Sequence, residues 1–250
     1  MKENVKKFRK NGYIIFKNFL NKNEVKKTLK IIDNISNKEK KSLTLWSPHY
    51  HNKFLIDILV KKRLKNFLIP ILNDPFYKKI DKNKPNYILS EYIGIKDKKF
   101  LNLHIDSWIP SSSFRTWMVQ VLILLTDRKR EDGCTIVVKK SHRSDLYSNR
   151  NIDKYLYLEG KKGDVIIIDS RIWHGRNEGK NNKQNWTLCA TLQSWFIKQR
   201  FDFTKYFPKK IFNKLNNEQK QLLGYCSISP KSHYESTEPR KGYEVLKDIK

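Results

Sequence analysis

Phe100-Leu-Asn-Leu-His-Ile-Asp-Ser-Trp108 reads as a strand that runs into a loop, and it carries His104 and Asp106. In an extended chain, residues i and i+2 project to one side, so the imidazole and the carboxylate leave the backbone together. One His and one Asp are two of the three protein ligands in the facial arrangement that holds non-haem Fe(II) and leaves coordination positions open. The third should be a second His, later in the chain, at the end of another strand. Asp169-Ser-Arg-Ile-Trp-His-Gly175 supplies it at His174, behind the apolar run Val165-Ile-Ile-Ile168. The separation of 70 residues (174 − 104) leaves room for several intervening strands.

Around this pair the sequence alternates between strand patterns and turn signals. Residues 87–95, 116–126, 134–138, 164–168 and 186–196 read as strands, with Asp132-Gly133 and Gly160-Lys-Lys-Gly163 as turns between them. The helical patterns gather at the ends. Residues 2–10 form a short helix and 12–16 a short strand. A helix follows over 24–34, capped by Asn21 or Asn23. Residues 53–73 are helical, with a break or kink at Pro70. Residues 35–50 read as loop, and His49 and His51 as ordinary loop residues. After Lys198 the pattern turns helical again, and the tail from Ser227 is irregular. The fold class is therefore mainly β with flanking helices, a barrel or sandwich. A single domain over 1–250 is expected: a helical flank 1–80, a β core 85–198 and a helical or irregular part 199–250.

Composition narrows the function classes. The chain has 250 residues and a net charge of +27, carried mostly by Lys spread from Lys2 to Lys250. The basic residues are not interleaved with aromatics in one stripe, which disfavours a nucleic-acid-binding protein. A solvated Lys surface explains the charge, and an anionic small-molecule substrate stays compatible with it. Cys134, Cys189 and Cys226 are isolated and form no zinc pattern, which fits a reducing compartment. The N-terminus lacks the apolar core of a secretory signal. No apolar run approaches the ~20 residues a membrane helix needs. The expectation is a cytoplasmic protein without a membrane partner.

With these residues in place, the chain resembles the phytanoyl-CoA dioxygenase family of Fe(II)/2-oxoglutarate oxygenases. The resemblance rests on Phe8-Arg-Lys-Asn-Gly-Tyr-Ile-Ile-Phe-Lys-Asn-Phe-Leu20, His104-Ile-Asp106 and Leu125-Thr-Asp127. It continues through Glu131-Asp-Gly-Cys-Thr-Ile-Val-Val138 with Ser141-His-Arg143, then Asp169-Ser-Arg-Ile-Trp-His-Gly175 and Leu222-Leu-Gly-Tyr225, all in the family's order. It implies a double-stranded β-helix, a cupin-like jelly-roll core. It also implies Fe(II) held by His104, Asp106 and His174, 2-oxoglutarate and O2 as co-substrates, and hydroxylation of a small molecule as the default reaction. Asp106 argues against halogenation, because halogenating relatives carry a small residue there.

Two departures from the family pattern matter. Lys139-Lys140-Ser141-His142 replaces the usual Pro-Gly-Ser-His, which makes His142 structural. The family's Arg for the distal carboxylate of 2-oxoglutarate falls at position 185 (174 + 11), which is Asn185 here. Arg176 is the candidate substitute, two residues past His174, with Lys180 and Lys183 as weaker ones. Asn185 and Thr187 share a strand face and can add hydrogen bonds. By strand parity Tyr87 and Gln120 join these residues against the co-substrate, and Tyr92, Trp108 and Trp117 also line the cavity. Residues 107–115 and 144–160 form the lid. Arg115 and Arg150 in these loops, with Arg143 beside them, suit an anionic substrate. The alternative is a degenerate dioxygenase-fold binding protein that has lost normal 2-oxoglutarate use, because Asn185 removes a charge the co-substrate needs.

Overall fold

Alternation along the strands decides which side chains enter the core. The computed structural model describes residues 1–39, 43–77, 80–81, 83–96, 99–146, 154–180, 186–229, 232–233, 243–244 and 246. They divide into two compact units, residues 1–48 with 92–191, and residues 49–91 with 192–250.

The first unit opens with α1 (Lys2–Asn11), β1 (Tyr13–Phe16), α2 (Lys22–Glu39) and β2 (Thr44–Trp46). It takes in the later part of β3 (Ile88–Ile95), then β4 (Leu101–His104), β5 (Met118–Leu124), β6 (Thr135–Val137) and β7 (Leu156–Leu158). It closes with β8 (Val165–Asp169), β9 (His174–Arg176) and most of β10 (Thr187–Gln193). Two sheets result, one ordered β1-β8-β5-β10-β3-β2 and one ordered β4-β9-β6-β7. The registered pairs β1/β8, β5/β8, β4/β9, β6/β9 and β6/β7 are all antiparallel. Leu124, Ile166 and Ile168 of the larger sheet pack with Val137 and Leu158 of the smaller one in a single buried cluster. That cluster is the filling of a jelly-roll sandwich. All five residues of β8 are buried, so both of its faces are covered, as its unbroken apolar run predicts.

Local chemistry explains the entry. Helix α1 stops at Gly12, which adopts the left-handed conformation (φ 81°) and returns its N–H to the Phe8 carbonyl at 2.7 Å. A Cβ on Gly12 would also meet His142 Nδ1 at 2.5 Å. His142 itself is buried with its Nε2 3.1 Å from the Arg9 carbonyl. Burial, the largest cause, pushes its pKa down. It ties the chain's opening to the segment after β6, the structural role its sequence context implies.

Three local expectations are corrected. Helix α2 extends to Glu39, and β2 and a 3-10 turn at Pro48–Tyr50 follow, so much of 35–50 is regular structure. The helical run 53–73 breaks at Val60–Lys61 into α3 (Phe54–Leu59) and α4 (Lys62–Leu72). Pro70 rides inside α4, in its last turn, and the helix ends two residues later at Leu72. His49 is no loop residue. It is fully buried in the second unit against Tyr50, Phe203 and Phe207, and burial pushes its pKa down to about 3. Its two neighbouring aromatics from beyond residue 200 are remote in sequence, so nothing local marks it.

The second unit also contains α5 (Phe203–Tyr206), α6 (Lys209–Phe212) and α7 (Asn217–Leu222). Asn216 and Gln219 form a capping box at the start of α7. Lys65 of α4 contacts both carboxylate oxygens of Glu218 on α7, at 3.0 and 2.9 Å. Among the described residues no helix is long and apolar enough to cross a membrane.

Candidate metal centre

The centre is built where β4 and β9 come together. His104 ends β4, and Asp106 lies two residues beyond it. His174 opens β9 and sits directly opposite His104 in the antiparallel register. It therefore begins a strand where the sequence placed it at a strand end. The tight turn Ser170–Trp173 separates it from β8. The register slips between Leu101 and His104, a bulge-like irregularity of the kind that re-aims side chains next to sites. Gly175 makes the approach possible. A Cβ there would lie 2.4 Å from the Leu101 carbonyl and 3.0 Å from that of Asn102, both backbone atoms that cannot swing away.

Hydrogen bonding then fixes the imidazoles. His104 Nδ1 is 2.9 Å from the Asn102 carbonyl and His174 Nδ1 is 3.0 Å from the Ile172 carbonyl. A carbonyl only accepts, so each Nδ1 carries a hydrogen, and Nε2 is the nitrogen that offers a lone pair when the ring is neutral. The two Nε2 atoms lie 3.6 and 3.1 Å from the Asp106 carboxylate, and the rings are 4.4 Å apart. One donor atom from each of His104, Asp106 and His174 falls within 4.8 Å of the others. Two imidazoles, each held at Nδ1 by a backbone carbonyl, and one carboxylate form the donor set a divalent transition metal takes.

Electrostatics agree. Burial raises the pKa of Asp106, but His174, His104 and a hydrogen bond from Gln120 outweigh it, so the carboxyl stays below its ordinary range. Burial lowers the pKa of His174, yet the Asp106 carboxylate and the Ile172 carbonyl prevail, and the net direction is up. His104 goes down, by burial first and then by His174. The proton between Asp106 and His174 is thus favoured on His174. Its raised pKa contributes stability that is full below 6.5 and is lost as pH rises through the folded value. A metal must displace that proton. Metal affinity should therefore rise about tenfold per pH unit while His174 still holds it. Calorimetric titration with a divalent metal at pH 6, 7 and 8 checks this. A flat profile would contradict the assignment.

A buried clasp holds the surroundings. Asp169 is not a ligand. Its Oδ1 accepts from Arg171 Nε at 2.9 Å and its Oδ2 from Arg171 Nη2 at 2.8 Å and Thr116 Oγ1 at 2.7 Å. Both partners are almost fully buried. Arg171 also donates to the carbonyls of Ser111 and Ser113, and the N–H groups of Asp106 and Ser107 donate to the Ser170 carbonyl. The loop 107–115 and the turn before His174 are thereby one hydrogen-bonded body. Arg171→Ala leaves a buried carboxylate unpaired and should destabilise the protein by about 3–5 kcal/mol, read as a lowered urea midpoint. A midpoint within experimental error of wild type would show the clasp to be dispensable.

The remaining expected site residues fall as follows. Gln120 is buried on β5, its Oε1 accepting from Cys189 and Thr191. Arg176 closes β9, half-buried, with its Nε donating to the Lys99 carbonyl at 2.8 Å. Thr187 opens β10 and shares strand parity with Cys189 and Thr191. Tyr87 lies in the second unit, buried, its carbonyl accepting from Gln221 at 3.0 Å. Asn185, Lys183 and Arg150 lie outside the described residues, as does part of the 144–160 segment. Lys180 is exposed. Trp108, placed in the sequence as a cavity wall, is 69% exposed with a left-handed φ of 67°. Arg115 lies over the Trp117 ring, and Arg143 donates to the Arg9 carbonyl. Cys189, Thr191, Gly175 and Arg171 were not singled out beforehand. Only the alternation of 187, 189 and 191 could have marked the first two.

A jelly roll carrying two His and one Asp at adjacent strand ends defines the class of mononuclear metal-dependent oxygenases. The family model described as phytanoyl-CoA dioxygenase (PhyH) matches residues 8–183. The chain belongs to this family. It is 27% identical over 135 residues to Dioxygenase af480 of Aspergillus fumigatus, covering 50% of this chain and 43% of that one. The matched part spans less than half the length of the curated relatives. Among solved structures, HygX of Streptomyces hygroscopicus, with nickel and 2-oxoglutarate bound, superposes with a TM-score of 0.66. It is 14% identical, with 80% of this chain and 89% of that one covered. The non-heme alpha ketoglutarate dependent carbocyclase SnoK gives 0.61 at 16% identity, covering 78% and 84%. These likenesses support the jelly-roll fold.

Proposed function

We propose that the protein is an Fe(II)- and 2-oxoglutarate-dependent oxygenase that hydroxylates a small molecule. The observation that carries the reading is the convergence of two Nε2 atoms and one carboxylate, with each ring fixed by a hydrogen bond at its Nδ1. His104, Asp106 and His174 would hold the metal. Bound iron with 2-oxoglutarate and O2 supplies the oxidising chemistry. The chain contributes position. The Asn102 and Ile172 carbonyls hold each Nδ1 and so turn both Nε2 atoms towards the Asp106 carboxylate, and the Ser170 carbonyl holds the backbone of Asp106. Asp106 occupies the ligand position with a carboxylate, which favours hydroxylation over halide transfer.

Arg176 is the cation we assign to the distal carboxylate of 2-oxoglutarate. It stands on the His174 strand two residues on, with the parity that turns both side chains to one face. Thr187 is assigned a hydroxyl contact to the same carboxylate. The substrate is a small molecule, and an anionic one suits the basic loops. SnoK is named as a carbocyclase, so the product must be measured. The test is stoichiometric CO2 release from labelled 2-oxoglutarate by the Fe(II)-loaded protein. No release above the metal-free control would support a binding protein in place of an oxygenase.

A further inference from the structure

Arg171 is buried in the turn between β8 and β9, and every nitrogen of its guanidinium is engaged. Nε donates to Asp169 Oδ1 at 2.9 Å, and Nη2 to Asp169 Oδ2 at 2.8 Å and Thr116 Oγ1 at 3.4 Å. Nη1 takes the carbonyls of Ser111 and Ser113. The group thus spans two chain segments at once. One edge pairs with the carboxylate that ends β8, and the remaining nitrogen grips the backbone of the loop 107–115. A guanidinium can do this because its donors are fixed in a planar fork, where an ammonium is a point charge. Both ends of the loop are tied to the same turn. The Ser107 N–H donates to the Ser170 carbonyl at 3.1 Å, and Thr116 Oγ1, just past the loop, donates to Asp169 Oδ2 at 2.7 Å.

The two carbonyls that flank Arg171 in sequence both serve the metal centre. That of Ser170 accepts from the Asp106 N–H at 2.8 Å, and that of Ile172 lies 3.0 Å from His174 Nδ1. Each stands one residue from Arg171, so a shift of the turn moves both. With them would move a carboxylate and an imidazole whose donor atoms are 3.1 Å apart. The turn has further anchors: the Ser170 N–H donates to the Met118 carbonyl at 3.1 Å, and the Trp173 N–H to Ser141 Oγ at 2.8 Å. The Arg171 side chain adds the bonds that cross to the middle of the loop continuing from Asp106. We infer that Arg171 is a positioning residue for the metal centre: it ties the turn to the loop 107–115 and so sets the Ser170 and Ile172 carbonyls that hold Asp106 and His174. The inference rests on the metal reading of His104, Asp106 and His174. It gives the guanidinium a task that pairing with Asp169 alone does not require.

The experiment titrates the protein with Co(II) under anaerobic conditions and records the visible absorption, which reports coordination geometry. Arg171→Lys keeps a cation beside Asp169 and gives up the fork that reaches the loop carbonyls. Its Co(II) affinity should fall about tenfold, the lower end for groups that act on ligands from outside, with an altered spectrum at saturation. Thr116→Val removes a buried hydrogen bond from the same carboxylate and leaves the Arg171 contacts to Ser111 and Ser113 in place. Its affinity and spectrum should stay at wild type. Wild-type affinity and spectrum in folded Arg171→Lys, with binding lost in the His104→Ala/His174→Ala double variant, would overturn the inference and leave the metal site standing. The same loss and spectral change in Thr116→Val would also overturn it, as general loosening of the fold. Wild-type binding in the double variant would remove the metal reading itself, and the inference with it. Should Arg171→Lys fail to fold, hydrogen exchange in the wild-type protein decides. By reciprocity of coupled sites, Co(II) should slow exchange of the amides over residues 111–115, and unchanged exchange there would overturn the inference.

Discussion

The His104→Ala/His174→Ala double variant should lose the single tight Fe(II) site, with affinity lower by at least about a thousandfold. Outer-sphere partners of metal ligands are each worth about 10- to 100-fold, and here two of the three ligands themselves are removed. What remains is Asp106, one carboxylate without a convergent donor, comparable to any acidic side chain on the surface. The fold should survive, because His104 is half-exposed and both rings bond locally, to carbonyls two residues back. The sandwich cluster does not include either ring. Anaerobic titration with Fe(II) measures the loss, and circular dichroism checks the fold. Undiminished binding in a folded double variant would sink the assignment and move the metal elsewhere.

Arg176→Ala should weaken 2-oxoglutarate binding about 10- to 150-fold while Fe(II) affinity stays close to wild type. A hydrogen bond to a charged group contributes about 1.5–3 kcal/mol, and each 1.4 kcal/mol is tenfold. The half-buried position of Arg176 argues for this range in preference to the larger figure for a fully buried pair. Arg176→Lys should recover part of the loss, because Lys keeps the charge and gives up the two-point fork. Adding Asn185→Arg to Arg176→Ala should restore binding, since position 185 is where the family resemblance puts its cation. Arg176 Nε already donates to the Lys99 carbonyl, so the carboxylate would meet the terminal nitrogens of a guanidinium already anchored at its Nε. The readout is anaerobic 2-oxoglutarate affinity with metal present. Equal affinity in wild type and Arg176→Ala would reject the assignment.

His104, Asp106 and His174 could be read from the chain because the geometry behind them is local. An i, i+2 pair in extended backbone needs no tertiary information, and a His after an apolar strand-length run announces its own place. The strands 88–95, 118–124, 165–169 and 187–193 declared themselves in the same way, by length, apolar content and bounding turn residues. Order along the chain fixed which His could partner which. The tertiary structure decided everything that depends on residues far apart in sequence meeting in space. It set the Asp169–Arg171 pair, itself local, on the carbonyls of Ser111 and Ser113, about sixty positions away. It buried His49 among Phe203 and Phe207, and it brought Cys189 and Thr191 to the oxygen of Gln120, about seventy positions from either. It required glycine at 175 because two backbones pass there without room for a Cβ. Periodicity assigns a side chain to a face, but the partner across that face depends on strand order and register, which are set by the summed packing of both sheets.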